Sequence, residues 1–104
     1  MQKVLIDAFI VPEASMSKFL DEVRKSACFL RTLPGFVEGF IYEKNEGDGP
    51  YNVVTTAVWE SEEAFANARK SAVAEFKNRG FNPQEILKAL GVKIERAVYD
   101  RLPY

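Results

Sequence analysis

The segment 51–65 constrains the fold more than any other part of the chain. Its first nine residues, 51–59, are rich in valine, threonine and aromatic side chains and lack glycine and proline, so they predict a β-strand. Ser61 follows as a candidate helix N-cap, and the carboxylates of Glu62 and Glu63 suit the first turn of a helix. The sequence therefore predicts a strand that leads directly into a helix, and the rest of the chain must supply partners for both.

Three further strands are predicted around this unit. Residues 3–11 are apolar at both alternating sets of positions, which is typical of a strand buried on both faces. A second strand is predicted over 36–44, in which Gly39 suggests a bulge or a close backbone approach. The glycine-rich segment that follows this strand favours an antiparallel hairpin with the third strand. A fourth strand is predicted over 92–101. The chain contains no internal repeat or linker, so we expect residues 1–104 to form a single domain.

Helical signals separate these strands. Apolar residues at intervals of three and four predict a helix over 13–32, which a Pro-Gly pair ends. The second helix is expected to end near Gly80, and Asn82 is a candidate N-cap for a short third helix. The resulting order, β-α-β-β-α-(short α)-β, is that of a ferredoxin-like α+β fold with a four-stranded antiparallel sheet. Right-handed crossovers would place both main helices on one face of the sheet.

The apolar character of both sides of the first strand predicts a partner for the sheet face that the helices leave uncovered. We expect Leu5, Phe9 and Trp59, with Phe36 and Phe40, to lie on that face. So large an apolar surface rarely stays exposed. The sequence therefore predicts a homodimer in which two sheets pack face to face as a dimeric α+β barrel, with a cavity between the sheets.

Composition limits the classes of function. A formal net charge of −1 gives no reason to expect binding to nucleic acid or to an anionic membrane. The apolar runs are shorter than the ~18 residues of a membrane span, and the N-terminus lacks the apolar stretch of a signal peptide. A single cysteine fits a reducing cytoplasm. The absence of histidine removes the commonest general base and a common ligand of zinc and haem, so no metal site is expected.

The segment Ala57–Phe65, taken with Leu33–Phe36 at the start of the second strand, resembles the antibiotic biosynthesis monooxygenase family of small dimeric α+β barrel proteins. The resemblance covers essentially the whole chain. It implies activities that range from cofactor-free monooxygenases acting on polyketide quinols to haem-degrading enzymes. Haem-degrading members carry an asparagine on the first strand, and a tryptophan and a histidine in the second helix. The matching positions here are Asp7, Ala68 and Asn78, so haem degradation is not expected.

The resemblance to the cofactor-free branch implies that Trp59 and Thr55 line the cavity. That branch typically has asparagine at the position of Thr55, so this chain departs from the pattern there. Trp59 is either a cavity wall that orients an aromatic substrate or a tryptophan packed into the core or an interface. Both alternatives remain open on the sequence.

Asp7 lies among apolar residues in the middle of the first strand, where a buried carboxylate is costly unless it is paired. It is a candidate general base that takes a proton from the substrate. Alternatively, it forms an ion pair with Arg96, the lone charge on one side of the fourth strand. If both side chains point into the cavity, Arg96 is a candidate for stabilising a substrate phenolate or enolate.

Four further residues, Phe9, Phe40, Tyr42 and Tyr51, are candidates for contacting a bound aromatic molecule, although each tyrosine also suits an edge or an interface. The resemblance implies a cofactor-independent monooxygenase that acts on a quinol or polyketide-like aromatic molecule and uses dioxygen as co-substrate. Two rival hypotheses remain, an isomerase or lyase that uses the same cavity and a non-catalytic protein that binds a small molecule.

Overall fold

The computed structural model describes all 104 residues of the chain. Four strands, β1 (Lys3–Ile10), β2 (Phe36–Glu43), β3 (Val53–Trp59) and β4 (Lys93–Asp100), form one sheet. Three helices, α1 (Met16–Leu30), α2 (Glu62–Asn78) and α3 (Pro83–Leu90), connect them, and a short 3₁₀ turn precedes α1. This order confirms the predicted ferredoxin-like α+β fold. None of the three helices combines the length and the apolar character that a membrane span requires.

The sheet has the strand order β2-β3-β1-β4, and every neighbouring pair is antiparallel. The hairpin between β2 and β3 is therefore confirmed. In this order β1 and β3 are the central strands, while β2 and β4 lie at the edges. Asp7 stands in the middle of β1, with Thr55 of β3 on one side and Arg96 of β4 on the other. The register thus places Thr55 and Arg96, two candidate site residues, directly beside Asp7.

The helix ends follow the predicted capping pattern. The Ser61 hydroxyl accepts a hydrogen bond from the Ala64 amide at 3.0 Å, which fixes the start of α2 directly after β3. The Asn82 side chain accepts hydrogen bonds from the first amides of α3. Gly80, which follows α2, has φ +63°, and Gly91, at the end of α3, has φ +71°. Glycine adopts this left-handed conformation without the steric cost that other residues bear.

Gly39 marks a close approach between β2 and β3, as the sequence predicted. A Cβ atom at this position would lie 2.7 Å from the Thr56 carbonyl oxygen and 3.1 Å from the Phe36 ring. The register between the two strands also shifts between Phe36 and Glu38. Only glycine fits here without displacing the neighbouring backbone.

The core lies between the helices and one face of the sheet, in two clusters. The first contains Phe9, Val11, Phe19, Val53 and Val92, and the rings of Phe9 and Phe19 meet edge to face at 4.9 Å. The second contains Ala57, Trp59 and Ala68. Only 11 of the 104 residues are buried, so the helices and the sheet enclose open space instead of closing fully on each other.

The expected assignment of residues to the uncovered face was wrong for Leu5, Phe9, Trp59 and Phe36 and right for Phe40. Phe9 packs against Phe19 of α1, and Trp59 clusters with Ala68 of α2, so Leu5, Asp7, Phe9 and Trp59 lie on the helix-covered face. The uncovered face carries the alternate residues of each strand: Val4, Ile6, Ala8, Val54, Thr56, Phe40 and Tyr42. Because both sets of β1 residues are apolar, alternation alone did not indicate which set the helices cover.

Candidate functional site

A cavity of about 430 Å³ lies within one chain, between the covered face of the sheet and the three helices. Its volume is in the range of small-molecule sites. The walls are mostly apolar and include Leu5, Phe9, Phe19, Trp59, Phe65 and Phe76. The sequence predicted a cavity between two sheets, which a single chain does not test. The cavity seen here lies within one chain, because several apolar residues expected between the sheets lie on the covered face.

The Asp7–Arg96 pair is the main polar feature of this cavity. The Arg96 Nε donates to Oδ1 of Asp7 at 2.8 Å, and Nη2 donates to Oδ2 at 2.9 Å, so the contact is bidentate. Asp7 is 6 % exposed, whereas the Arg96 side chain is 60 % exposed. Of the two alternatives from the sequence, the structure shows the ion pair. It satisfies both oxygens of a carboxylate that would otherwise be costly to bury.

The pair leaves donor capacity on Arg96. The hydrogen bonds to Asp7 raise the pKa of the Arg96 guanidinium; partial burial opposes this rise and the negative charge of Asp7 adds to it. A guanidinium carries five N–H donors, and the bidentate contact occupies one on Nε and one on Nη2. The remaining donors of Arg96, which lines the cavity, are free to bind an oxygen atom of a ligand.

Trp59 and Thr55 extend the cavity wall along β3. Trp59 is 1 % exposed, and the Phe36 ring meets its indole edge to face at 5.3 Å. Both alternatives for Trp59 thus hold geometrically, because it belongs to the core and also borders the cavity. Thr55 is the register partner of Asp7 and places a hydroxyl on the same face of the sheet.

The structure does not bring all the predicted substrate contacts together. Phe9 lines the cavity. Phe40 borders it, but its register with Thr56 directs the ring to the uncovered face, where it packs on Tyr42 at 6.2 Å. Tyr51 precedes β3 and is absent from the cavity wall, and its phenol lies beside Glu95. Strand alternation places Phe40 and Tyr42 on the face opposite Thr55, and Tyr42 is absent from the cavity wall. Tyr51 lies before the first residue of β3, so the alternation of that strand does not fix its direction.

Several cavity residues were missed by the sequence reasoning because the cavity was expected between two sheets. They lie on the helices or next to them, and they include three charged ones, Glu22 of α1, Arg31 after α1 and Arg69 of α2. The apolar stripes of α1 and α2 were the signal that pointed to this side. No group of three or more His, Cys, Asp or Glu side chains converges in the structure.

Residues 1–78 match the family profile described as antibiotic biosynthesis monooxygenase. The chain belongs to the antibiotic biosynthesis monooxygenase family. The match spans β1, α1, β2, β3 and α2, the elements that build most of the cavity. Family membership supports monooxygenase activity at the level of the family. No functionally curated protein sequence matches the chain.

Solved structures share the fold over nearly the whole chain. A single-residue variant of SnoaB, a cofactor-independent oxygenase from Streptomyces nogalater, is 25% identical, covers 99% of this chain and 95% of its own, and has a TM-score of 0.71. Rv0793 from Mycobacterium tuberculosis is 16% identical over 100% of this chain and 98% of its own, with a TM-score of 0.74. The heme-degrading protein Rv3592 from the same organism is 25% identical over 66% of this chain and 78% of its own, with a TM-score of 0.59.

The haem-degrading neighbour raises the question of whether this cavity suits haem. The chain contains no histidine, so it provides no imidazole to ligate the iron. Ala68, at the position where the resemblance places a tryptophan, is 4 % exposed and packs against Trp59. The residues present therefore do not fit a histidine-ligated haem.

Proposed function

We propose that the protein, acting as one domain over residues 1–104, is a cofactor-independent monooxygenase that oxidises a quinol or polyketide-like aromatic molecule in its cavity. The observation that carries this proposal is a bidentate Asp7–Arg96 pair on the wall of a mostly apolar cavity. The resemblance of the whole chain to a cofactor-independent oxygenase also supports it. The single cysteine supports a cytoplasmic location.

In this proposal, Arg96 is the residue that contacts the substrate. Its free N–H groups donate to the phenolic oxygen, which favours the phenolate over the phenol. The Arg96 side chain is 60 % exposed in the free protein, and a bound aromatic ring would displace water from it. This displacement strengthens the interaction, because a water-poor site screens charge less than bulk solvent. Asp7 holds the guanidinium in position through both of its oxygens. Thr55 and Trp59 orient the aromatic ring against β3.

The phenolate or its carbanion form is electron-rich and reacts with dioxygen directly. One oxygen atom enters the substrate, where a ring CH or CH₂ group becomes a carbonyl, and the other oxygen atom leaves as water. For a CH₂ group, both hydrogens end in that water molecule, the carbon loses four electrons and dioxygen gains four. The reaction is therefore balanced with the substrate as the only reductant.

Asp7 has a second proposed role, the general base that takes the substrate proton. The bidentate contact favours the positioning role, because both carboxylate oxygens already accept hydrogen bonds. The substitution Asp7→Asn separates the two, since asparagine keeps one acceptor oxygen for Arg96 but cannot act as a base. A variant that retains most of its kcat supports positioning, and a loss of about 100-fold or more supports the base role.

Oxygen consumption with a panel of quinols tests the proposed function. We expect uptake of dioxygen with at least one two- or three-ring quinol, above the enzyme-free rate of autoxidation, and little uptake with the Arg96→Met variant. Turnover under strict anaerobiosis would indicate an isomerase or lyase instead. Tight binding without turnover under either condition would indicate a non-catalytic binding protein, and both results would contradict the proposal.

We also propose that two copies associate through the uncovered face of the sheet. Three aromatic residues on that face, Phe40, Tyr42 and Tyr99, are 50%, 53% and 51% exposed, and they adjoin the apolar residues of β1 and β3. A contiguous apolar surface of this kind is typical of an interface. Light scattering at micromolar concentration tests this proposal, with a dimer expected and a monomer contradicting it.

A further inference from the structure

Two arginines, Arg31 and Arg69, line the cavity without forming an ion pair. Neither guanidinium lies within 4.0 Å of a carboxylate. The acidic side chains of the cavity are already paired: Asp7 binds Arg96, and Glu22 lies 3.6 Å from Lys25. Arg31 and Arg69, both exposed, therefore bring two positive charges to the cavity wall that no carboxylate of the chain contacts.

Aromatic rings hold the two guanidinium groups at the cavity. The Arg31 guanidinium lies 5.9 Å from the centroid of the Phe36 ring, and Nη2 donates to the Gly39 carbonyl at 2.9 Å. The Arg69 guanidinium lies 4.7 Å from the centroid of the Phe65 ring. Phe36, Gly39 and Phe65 also line the cavity, so the two charges are held beside it.

Both arginines lie at the same end of the cavity, which is not the Arg96 end. Phe36 and Phe65 both pack against the cluster that contains Trp59 and Ala68. Arg31 contacts the edge strand β2, whereas Arg96 belongs to β4, the opposite edge of the sheet. Three strand spacings separate these edges, roughly 14 Å between backbones. A fused-ring molecule that lies across the covered face can reach both ends.

We propose that Arg31 and Arg69 form a binding site for an anionic substituent, a carboxylate, on the aromatic ligand of this cavity. The inference rests on the proposed use of the cavity for an aromatic substrate. A guanidinium matches the planar geometry of a carboxylate, and its hydrogen bonds to a charged acceptor are among the stronger ones in proteins. Such a site favours a substrate with two features. One is a phenolic oxygen that faces Arg96, and the other is a carboxylate at the end of the cavity near Trp59.

A structural role is the competing explanation. Stacking of a guanidinium on a ring is itself stabilising, and Arg31 also ties the end of α1 to β2 through the Gly39 carbonyl. Arg69 makes no hydrogen bond or ion pair, and its stacking partner Phe65 lies one turn earlier on the same helix. Arg69 is therefore the better position to test.

The test uses two ligands that differ in charge and little in shape, naphthoate and naphthamide. Their affinities are measured by calorimetric titration, and quenching of Trp59, the only tryptophan, reports binding in the cavity. The variants are Arg69→Met and Arg69→Lys. Arg79→Met is the matched control, because Arg79 also stacks on a ring, that of Phe81 at 5.8 Å, but does not line the cavity.

We expect the wild type and Arg79→Met to bind naphthoate about 10-fold more tightly than naphthamide, the value of one charge-assisted hydrogen bond. Arg69→Met should reduce this ratio several-fold and leave naphthamide binding unchanged, while Arg69→Lys keeps most of the preference. An equal affinity for both ligands, no binding of either, or an unchanged ratio in Arg69→Met would overturn the inference.

The ratio of the two affinities is independent of the oxidation chemistry. A carboxylate preference that depends on Arg69, together with no oxygen uptake with any quinol, would contradict the proposed function and leave this site standing. Oxygen uptake with neutral quinols, together with no carboxylate preference, would contradict this site and leave the proposed function standing.

Discussion

The two faces of the sheet are built from the same strands and have opposite environments. On the covered face, Trp59 is 1 % exposed and Asp7 6 % exposed, and the helices close over them. On the uncovered face, Phe40 and Tyr42 are about half exposed. Both faces are largely apolar, so the contrast comes from which elements pack on each face and not from residue type.

The two faces of the sheet differ in how well they suit a reaction site. A charged pair influences a substrate more strongly where water is excluded, and on the covered face Asp7 is buried while Arg96 stays partly exposed. The uncovered face has exposed apolar area, and the 430 Å³ cavity lies on the other side of the sheet. We therefore associate reaction with the covered face and association between chains with the other.

The largest expected effect contrasts a phenylalanine of each face. Phe19→Ala removes a 1 % exposed ring that packs on Phe9, so we expect a loss of about 3–5 kcal/mol in the free energy of unfolding. Phe40→Ala removes a half-exposed ring and should cost about 1 kcal/mol within the chain. Urea denaturation measures both losses. Equal losses would contradict the assignment of the two faces.

The next effect concerns the ion pair of the covered face. Arg96→Met leaves the Asp7 carboxylate buried without its partner, and we expect a loss of about 2–3 kcal/mol, less than for a fully buried pair because Arg96 is partly exposed. The matched control, Arg101→Met, breaks an exposed pair with Glu38 and should cost much less. A loss for Arg96→Met no greater than the control would show that Asp7 does not depend on the pair.

A smaller effect is expected at the junction between β3 and α2. Ser61→Ala removes the hydroxyl that accepts the hydrogen bond of the Ala64 amide, at a cost of about 1 kcal/mol. Ser61→Asp restores an acceptor and adds a charge that favours the start of the helix, so it should recover the stability. Thermal denaturation followed by circular dichroism compares the variants, and an Asp variant no more stable than Ala would contradict the capping role.

The smallest effect concerns pH. The Glu95 carboxylate beside the Tyr51 phenol raises the pKa of Tyr51 above the usual 10.0, because it favours the protonated phenol. Because the folded pKa is the higher one, this contribution to stability is present below the pKa of the unfolded chain and is lost as pH rises through the folded pKa. Tyr51→Phe should therefore have a lower free energy of unfolding than wild type at neutral pH, and this difference should vanish at strongly alkaline pH.

The absorbance of phenolate checks the same assignment. Wild-type protein should show a late-ionising component in a spectrophotometric titration, and Tyr51→Phe should lack it. A titration curve whose last component survives in the variant would contradict the contact with Glu95.

The local features of the fold were predictable from the sequence because neighbouring residues determine them. Ser61 and Asn82 cap the helices that they were predicted to start, and Gly39 lies at the predicted close approach. The Asp7–Arg96 contact was also one of the two alternatives considered, because two lone charges in apolar strands need a partner.

The position of the cavity was not predictable in the same way. Leu5 and Phe9 alternate with residues that are equally apolar, so only the packing of Phe19 identifies the covered face. Arg31 and Arg69 look in sequence like charges on the solvent side of a helix, and only the tertiary arrangement brings them to the cavity. Tyr42 was assigned to the site on residue type alone, which carries no information about the face.

The most direct test of the account is the fate of heavy-isotope dioxygen during turnover of a fused-ring quinol, followed by mass spectrometry before the product exchanges oxygen with water. We predict one heavy oxygen atom in each product molecule for the wild type and a rate lower by about 100-fold or more for Arg96→Met, whose buried Asp7 and aromatic walls remain. Product without heavy oxygen, or equal rates of incorporation in the two proteins, would contradict a monooxygenase that works through Arg96.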